Sequence, residues 1–248
     1  MLYPAEFDRL RVVLVAARNP LNIGAAARAM TNFGFEHLGV VNAYNIGFRE
    51  ARSAVGAADL LQNAVEYTSV AEAVADCTLV VGTTAVRHRD VQHPVRQLEN
   101  GGRLIRKRLA AGRVALLFGS EKFGLSNKDL SHCDWLMRIP THEQNISMNL
   151  GQAVAVCLYE LVRDAKSARA PEKLKLATAG ELERITSTLL NVMRASGYLN
   201  RRPIADVEER MRRLIRRMNL PSSDTVVWLG ILRQIAWKLK TASDAKRK

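Results

Sequence analysis

The sequence predicts an α/β fold, a parallel sheet flanked by helices, followed by a small all-helical C-terminal extension. Through the first two thirds of the chain, short apolar segments rich in valine and leucine alternate with longer segments of helical periodicity. The short segments are apolar on both faces, as strands are when helices cover both sides of a parallel sheet. Nearer the C-terminus the strand pattern stops and only helical patterns follow.

Five apolar runs are predicted as strands, at residues 11–16, 37–41, 78–84, 114–118 and 135–139. Between and after them, three segments suit helices, at residues 23–33, 95–111 and 152–161. Gly34 and Gly112 follow the first two helices, where glycine commonly ends a helix because it tolerates a positive φ. This alternation is typical of a parallel sheet between two helical layers.

The C-terminal region begins with a clear helix signal. Thr178 and Glu181 form a capping box, and the helix that they begin runs to about Ala195, before Gly197. Two further helices are predicted at residues 204–218 and about 222–240, while Pro171 discourages a continuous helix before this region. We therefore expect three parts: a first domain at residues 1–165, a linker at 166–176 and a basic helical domain at 177–248.

Composition excludes several classes of protein. Apolar residues make up 48% of the chain, which is enough for a packed core and excludes wholesale disorder. Three cysteines without CxxC spacing argue against a disulfide framework or a zinc site. The N-terminus lacks a signal pattern, and no apolar run has membrane-spanning length. We therefore expect a soluble, cytoplasmic protein with no metal and no membrane contact.

Positive charge is concentrated in the C-terminal region. Residues 166–248 hold 19 Lys/Arg and 8 Asp/Glu, a net +11, whereas residues 1–165 hold 18 and 16, a net +2, and together these give the +13 of the chain. A basic appendage on a near-neutral body is typical of a protein that binds a polyanion such as nucleic acid. The alternative is a solvated helical surface enriched in Lys and Arg, which leaves the excess charge without an anionic partner.

Three loops rich in glycine and polar residues follow predicted strands. They are Asn19-Pro-Leu-Asn22-Ile-Gly24-Ala-Ala-Ala-Arg28, then Gly119-Ser-Glu121-Lys-Phe-Gly124, and then residues 139–151 with Ser147 and Asn149. Ligands of open α/β sheets bind at the carboxyl ends of strands. Taken alone, the first loop is better explained as a helix cap with a surface arginine, and the second is equally compatible with a tight turn. The three together favour a ligand site.

Other motifs are rejected on spacing. His142-Glu143 begins like a zinc-protease motif, but Ile146 occupies the place of the second histidine. Gly24 lacks the neighbouring glycines of a dinucleotide-binding loop, and there is no phosphate-binding P-loop. These motifs therefore give no support for a metal centre and little for a dinucleotide cofactor.

Taken together, the three loops resemble the three motifs of the SPOUT superfamily, specifically its TrmH-type RNA ribose 2′-O-methyltransferases, over roughly residues 9 to 163. The C-terminal region is also similar to one branch, the TrmJ-like tRNA methyltransferases, in Gly197-Tyr-Leu-Asn200 and Leu229-Gly-Ile-Leu-Arg233. This resemblance implies S-adenosyl-L-methionine as the methyl donor, a homodimer and a deep trefoil knot late in the first domain. The implied reaction is methylation of a ribose 2′-hydroxyl in tRNA, at position 32 of the anticodon loop.

The resemblance also implies which residues form the site. The residues expected to bind the cofactor are Thr83, Thr84, Ala85, Gly119, Ser120, Glu121, Gly124, Ile139, Met148 and Leu150. The expected catalytic residues are Arg28, Glu121, Ser147 and Asn149. Met148 and Gly151 depart from the residues most common in the family, but neither change removes a reactive group.

Roles within the catalytic set follow from the chemistry. Because the donor is already activated, the protein mainly aligns the reacting atoms and helps to remove one proton. An arginine base is unfavourable, since the guanidinium stays protonated in proteins. We therefore expect Arg28 to clamp the target phosphate and ribose, Ser147 and Asn149 to orient the hydroxyl, and Glu121 to hold the loops or Asn149.

RNA is the expected partner, and DNA is not expected. The candidate phosphate contacts, besides Arg28, are Arg201, Arg202, Arg212, Arg213, Arg216 and Arg217. Two alternatives remain open at this point. One is a related enzyme acting on ribosomal RNA, and the other is a non-catalytic RNA-binding protein, which leaves the four polar residues of the three loops without a purpose.

Overall fold

The computed structural model describes residues 5–41, 51, 54–85, 93–163, 175–199 and 204–245. Its strands are β1 Leu10–Val15, β2 His37–Val41, β3 Val65–Tyr67, β4 Leu79–Thr83, β5 Val95–Gln97, β6 Val114–Phe118 and β7 Trp135–Arg138. Its α-helices are α1 Pro20–Asn32, α2 Ala58–Gln62, α3 Val70–Ala73, α4 Leu98–Leu109, α5 Asn127–Leu130, α6 Leu150–Arg163, α7 Ala179–Ala195, α8 Ile204–Arg217 and α9 Ser222–Ala245. A short 3₁₀ helix at Ala5–Arg9 leads into β1.

All seven strands form one sheet in the order β3-β2-β1-β6-β4-β7-β5. Every neighbouring pair is parallel, so the carboxyl ends of all strands lie along one edge. Strands β1, β6, β4 and β7 are central and almost entirely buried. The parallel sheet predicted from the sequence is confirmed.

Two apolar cores sandwich the sheet. Alternate residues of a strand point to opposite faces, so Val12 and Leu14 of β1 belong to one core while Val13 and Val15 belong to the other. The larger core contains buried side chains of α1, α4 and α6, and the smaller contains side chains of α3 and α5. The sheet is therefore covered by helices on both faces.

Helix boundaries correct one prediction. Residues 95–111 are predicted as a single helix, but Val95–Gln97 form the edge strand β5 and the helix begins at Leu98. Strand β3 is not predicted at all. Both strands are three residues long and mostly exposed, so neither leaves the apolar run that identifies a strand in a sequence.

Three helices follow the α/β part, and a small core of their own holds them together. Helix α7 begins with the predicted capping box, in which Thr178 accepts from the Glu181 N–H and Glu181 accepts from the Thr178 N–H. Gly197, which ends it, has a φ of +79°. The apolar cluster of the three C-terminal helices includes Ile185 of α7, Ile215 of α8 and Leu232 of α9. Ile235, also on α9, is 41% exposed.

The C-terminal helices α7–α9 rest directly against the α/β part. The backbone N–H of Ala179 donates to the Cys77 carbonyl at 2.7 Å, and that of Gly180 donates to the Ala75 carbonyl at 2.7 Å. Ala179 is itself part of the smaller sheet core. Most of the predicted linker lies outside the described residues, so the start of α7 is the first contact seen after α6.

Within the described part of the chain, no helix combines the length and apolarity needed to cross a membrane. The same residues contain no cluster of three or more histidine, cysteine or acidic side chains arranged to hold a metal ion.

Candidate active site

A cavity of about 360 Å³ lies at the carboxyl edge of the sheet, where the loops after β4, β6 and β7 meet. A volume of this size is typical of sites that bind a small molecule. Every residue expected to bind the cofactor lies on its wall: Thr83, Thr84, Ala85, Gly119, Ser120, Glu121, Gly124, Ile139, Met148 and Leu150. Residues that were predicted on three separate segments of the sequence therefore meet at one cavity in the fold.

The loop after β6 is a tight turn that only glycine permits. Ser120 pairs with Gly124 across the turn, and the Gly124 N–H donates to the Ser120 carbonyl at 2.8 Å. Gly124 has a φ of +67°. A Cβ on Gly119 would lie 2.0 Å from the Gly124 carbonyl carbon, so any side chain at residue 119 would force the turn open.

Glu121, at the tip of this turn, ties it to the loop between β1 and α1. Its carboxylate accepts from the backbone N–H groups of Arg18 at 3.2 Å and Asn19 at 3.3 Å, and from the Asn22 side chain at 2.8 Å. Burial acts to raise the pKa of Glu121, but these hydrogen bonds outweigh it and hold the pKa below its usual range. Glu121 is therefore a stable carboxylate that serves as an acceptor.

Asn149 extends the same network to the third loop. Its side-chain N–H donates to Asn22 Oδ1 at 2.9 Å, and its Oδ1 accepts from the Gly151 N–H at 2.9 Å and more distantly from Gln152. Asn149 thus caps the start of α6. With its oxygen occupied by backbone donors, the amide retains one N–H, so toward a substrate it acts as a donor.

Asn22 is the residue that the sequence analysis missed. It lies between Glu121 and Asn149, receiving the amide of one and donating to the carboxylate of the other. The only signal for it was its place in the first motif, six residues after the end of the first predicted strand and two before Gly24. The motif identified its neighbourhood, but its role required the partners.

The other two expected catalytic residues lie apart from this network. Ser147 is exposed and lines the cavity. Arg28 is exposed on α1 and is not part of the cavity wall. Among the described residues it makes no ion pair, so its guanidinium is available to a group outside them.

Gly151 explains how α6 approaches α1 so closely. A Cβ on Gly151 would lie 2.7 Å from the Ala25 Cβ and 3.2 Å from the Ala25 carbonyl carbon. The absence of a side chain therefore lets the start of α6, which carries Asn149, sit against the helix that carries Asn22. This contact positions the network at the cavity edge.

The structure contradicts two of the expected phosphate contacts. Arg212 and Arg216 are only 5% and 3% exposed and face the interior. Arg213 is partly buried and pairs with Glu209 at 3.6 Å, whereas Arg217 is exposed. Arg201 and Arg202 lie outside the described residues. A buried, paired guanidinium does not reach RNA phosphate, so the prediction that Arg212 and Arg216 contact RNA is wrong.

Arg212 instead joins three elements. It donates to both carboxylate oxygens of Glu183 on α7, at 2.9 and 3.0 Å, and to Glu208 on its own helix at 2.7 Å. Its remaining nitrogen donates to the Ser131 hydroxyl, in the turn between α5 and β7, at 3.0 Å. The bidentate pair with Glu183 fixes the plane of the guanidinium.

Arg216 makes a second link to the same turn. Its Nη1 lies 3.6 Å from Asp134 Oδ1, and Asp134 Oδ2 accepts from the Val80 N–H of β4 at 2.7 Å. Burial raises the pKa of Asp134, although Arg216 opposes the shift. His132, beside both arginines, is 5% exposed, and its Nδ1 has no hydrogen-bond partner in the described part of the chain.

Comparison with known proteins gives a consistent result. The family model described as the SpoU rRNA Methylase family matches residues 9–159. The tRNA (cytidine/uridine-2′-O-)-methyltransferase TrmJ of Sodalis glossinidius is 32% identical over 242 residues, which cover 95% of this chain and 94% of that protein. The match confirms the resemblance inferred from the three motifs.

Solved structures agree with this match. The crystal structure of TrmJ from Z. mobilis ZM4 aligns with a TM-score of 0.81 at 32% identity, covering 91% of this chain and 98% of that one. The SpoU methyltransferase AviRb from Streptomyces viridochromogenes, solved in complex with the cofactor AdoMet, aligns with a TM-score of 0.51 at 25% identity. That alignment covers 67% of this chain and 62% of AviRb.

Gly119→Ala is expected to open the turn after β6, because the added Cβ meets backbone atoms that have no room to move. Overpacking of this kind costs about 1–3 kcal/mol of unfolding free energy. We also expect affinity for S-adenosylmethionine, the donor that the sequence resemblance implies, to fall by about tenfold or more. Urea unfolding and calorimetry measure the two effects.

Gly230→Ala is the matched control for this substitution. Gly230 lies in the exposed helix α9, and a Cβ there meets no atom within 4 Å. Alanine is expected to stabilise the chain by about 0.5–1 kcal/mol, with donor affinity unchanged. Unchanged donor affinity in Gly119→Ala would contradict the proposed geometry of the turn.

Acid is expected to weaken the contact between α8 and the sheet. Burial, followed by the charges of Arg212, Arg216 and Lys128, lowers the pKa of His132 from 6.5 to about 3. Between these values the unfolded chain binds a proton that the folded chain excludes. The stabilisation is therefore complete above pH 6.5 and is lost toward pH 3, by up to about 1.4 kcal/mol per pH unit.

Urea unfolding at about pH 7.5 and pH 5.5 measures this loss. His132→Leu removes one titrating group and is expected to reduce the dependence on pH; the part that remains comes from His93, whose pKa burial and nearby arginines lower to about 4. The control, His37→Gln, changes an exposed histidine that pairs with Asp8, and should retain the wild-type dependence. A His132→Leu protein that loses as much stability as the wild type between the two pH values rules out His132 as the cause.

Proposed function

The chain belongs to the SpoU rRNA methylase family, and on that premise we propose that it methylates a ribose 2′-hydroxyl of tRNA with S-adenosyl-L-methionine as donor. The observation that carries the proposal is the cavity at the sheet edge, whose wall contains the second and third motif loops, while Asn22 hydrogen bonds the first loop to both of them. The Sodalis glossinidius TrmJ is named as a tRNA 2′-O-methyltransferase and matches nearly the whole chain, including the C-terminal helices. That coverage favours tRNA over ribosomal RNA.

The residues of the cavity fit the proposed cofactor. Apolar side chains of Met137, Ile139 and Leu150 offer a surface for an adenine ring, while the turn after β6 presents backbone groups held apart from any side chain by Gly119. AviRb, which shares the fold, was solved with this cofactor. When bound, the cofactor supplies a methyl group already activated on a sulfonium.

The task left to the protein is to align a hydroxyl and remove its proton. Ser147, exposed at the cavity wall, is suited to hold the ribose hydroxyl by hydrogen bonding. The free N–H of Asn149 donates to a neighbouring ribose or phosphate oxygen, while Glu121 keeps both loops in place through Asn22. Arg28 stabilises negative charge that develops on the hydroxyl oxygen.

In a homodimer, Arg28 can reach the cavity of the partner, although it lies away from the cavity of its own chain. Within one chain Arg28 stands on an exposed stripe of α1 with Leu21, away from the cavity wall. The adjoining surface of α6 exposes Tyr159, whose ring contacts Phe33. Two large exposed apolar side chains beside a catalytic arginine favour contact with a second copy, in which Arg28 of one protomer faces the site of its partner.

A deep trefoil knot late in the α/β part belongs to the same proposal. Strand β7 is inserted between β4 and β5 instead of being added at an edge, and α6 then returns across the sheet to pack against α1. The insertion of β7 and the return of α6 support a knotted path.

We divide the chain at residues 1–165, 166–176 and 177–248, with the last part a basic helical domain that holds tRNA in the cytoplasm. Its phosphate contacts are Arg217 and Arg213, together with Arg201 and Arg202. Because a 2′-hydroxyl is the acceptor, DNA is not a substrate. The ribose at position 32 of the anticodon loop is the proposed target, following the TrmJ-like resemblance of the C-terminal region.

The central experiment incubates total tRNA and, in a separate reaction, ribosomal RNA with the protein and a methyl-labelled donor. Nuclease digestion and mass spectrometry then locate the label. We expect one 2′-O-methylated nucleotide at position 32. Label on a base, or in ribosomal RNA but not tRNA, overturns the proposal, and label at another ribose corrects the position alone.

Arg28→Ala is expected to lower kcat by about 10²–10³, because a donor aimed at developing negative charge is worth about 2.7–4 kcal/mol in other enzymes. Donor affinity should stay within about twofold, since Arg28 is not on the cavity wall. Arg103→Ala, which changes an exposed arginine of α4 that pairs with Glu99, is the control and should retain activity. Wild-type turnover in Arg28→Ala eliminates the clamp role.

Mixed dimers test whether Arg28 acts across the interface. Arg28→Ala and Ser147→Ala proteins, each inactive alone, are unfolded together and refolded as an equal mixture. Half of the refolded dimers are mixed. If Arg28 serves the partner's site, each mixed dimer has one intact site, and about a quarter of wild-type activity returns. No recovery shows that Arg28 serves its own chain.

A further inference from the structure

Arg212 and Arg216 present an unexpected feature, two arginines four residues apart that are buried on the same face of α8. Both point to the turn between α5 and β7, which we name the 131–134 turn. Arg212 donates to Ser131, and Arg216 pairs with Asp134. Helix α8 therefore contacts the α/β part through charged groups. Ala179, at the start of α7, adds an apolar contact to the same part.

Stability alone does not explain this choice of residues. Buried ion pairs contribute little net stability, since apolar side chains of similar volume often serve as well or better. Arg216 also leaves its buried Nε without a hydrogen-bond partner in the described part of the chain. What such pairs supply is orientation, because the planar guanidinium of Arg212 accepts only one arrangement of Glu183, Glu208 and Ser131.

The 131–134 turn lies close to the chemistry along the chain. Leu130, immediately before it, lines the cavity, and β7 runs from the turn to Ile139 on the opposite wall. Asp134 also hydrogen bonds both ways with Val80 of β4, so its position is fixed by two central strands. An element held at Asp134 is therefore held at a constant distance from Met137 on the cavity wall, about 10 Å along β7 at 3.3 Å per residue.

On the other side of α8, the exposed surface carries Arg210 and Arg217. Since a helix is stiff, fixing Arg212 and Arg216 inward also fixes the direction of these two outward arginines. Arg217 is one of the phosphate contacts proposed above, and Arg210 lies on the same face of the helix. The buried contacts of Arg212 and Arg216 thereby set the distance between the exposed arginines, which bind the RNA backbone, and the ribose that reacts.

We propose that Arg212 and Arg216 are positioning residues that determine which ribose of the tRNA is methylated. Every nucleotide of an RNA carries a 2′-hydroxyl, and phosphate contacts carry no sequence information. The distance between anchor and cavity is then what distinguishes one ribose from the next. This inference rests on the proposed RNA-binding role of α8, and the test separates the two.

The test compares Arg216→Met with Arg216→Lys and Arg217→Met, on a tRNA transcript and on one with an additional base pair in the anticodon stem. For each protein, donor affinity, kcat, KM for tRNA and the distribution of 2′-O-methyl groups are measured. We expect Arg216→Met to keep donor affinity within about twofold, to raise KM about tenfold and to spread methyl groups over neighbouring riboses. Arg216→Lys, which restores the charge opposite Asp134, should restore a single product.

Arg217→Met is the matched control one residue away. It removes an exposed anchor without loosening the helix, so KM should rise while the product stays at one nucleotide. On the lengthened stem, the wild-type protein should methylate a shifted ribose or lose activity, whereas Arg216→Met should lose less.

A single wild-type product with wild-type KM in Arg216→Met overturns the positioning role. If Arg216→Met does not fold, Ser131→Ala provides the same test, since it removes only the hydroxyl that receives Arg212, and an unchanged single product with unchanged KM then overturns the proposal. Unchanged KM in Arg217→Met, with spreading in Arg216→Met, instead overturns the role of Arg217 as an anchor. Donor affinity and tRNA affinity that fall together in Ser131→Ala show a merely structural role.

Discussion

The carboxylate of Glu121 and the amide of Asn22 hold the catalytic edge of this molecule together. Glu121 follows β6, Asn22 lies in the first turn of α1 after β1, and Asn149 immediately precedes α6 after β7, so one hydrogen-bonded chain connects the ends of three strands. The partners are about one hundred residues apart in sequence, with separations of 99 and 127. No local interaction can replace such links. The shape of the cavity therefore depends on the order of strands in the sheet, which brings β1, β6, β4 and β7 side by side.

The same hydrogen bonds satisfy backbone donors and lower the pKa of Glu121. A carboxylate that receives two backbone N–H groups and an amide satisfies donors that a loop leading into a helix otherwise leaves unpaired. The low pKa of Glu121 follows from the same contacts, which makes it a poor proton acceptor at the pH of the cell. Its position in the second motif is thus explained by architecture and not by proton transfer.

Much of this arrangement follows from the sequence, for identifiable reasons. The central strands are runs of valine and leucine buried on both faces, and such runs are distinctive. Thr178 and Glu181 specify the start of α7 because both members of a capping box lie within one turn. The short edge strands β3 and β5 escape prediction because exposed three-residue strands have no apolar period. Asn22 escaped because its role depends on Glu121 and Asn149, neither of which is near it in sequence.

The arginines of α8 show the limit most clearly. A sequence reports charge but not the partner of that charge, and Arg212 finds its partners 29 and 81 residues away, at Glu183 and Ser131. Counting all the basic residues of the C-terminal region as an RNA surface therefore overstates that surface. The charge that remains exposed on α8 is small and directed by the buried pair. In a reaction whose acceptor group is present on every nucleotide, the direction of a few charges contributes more to selectivity than their number.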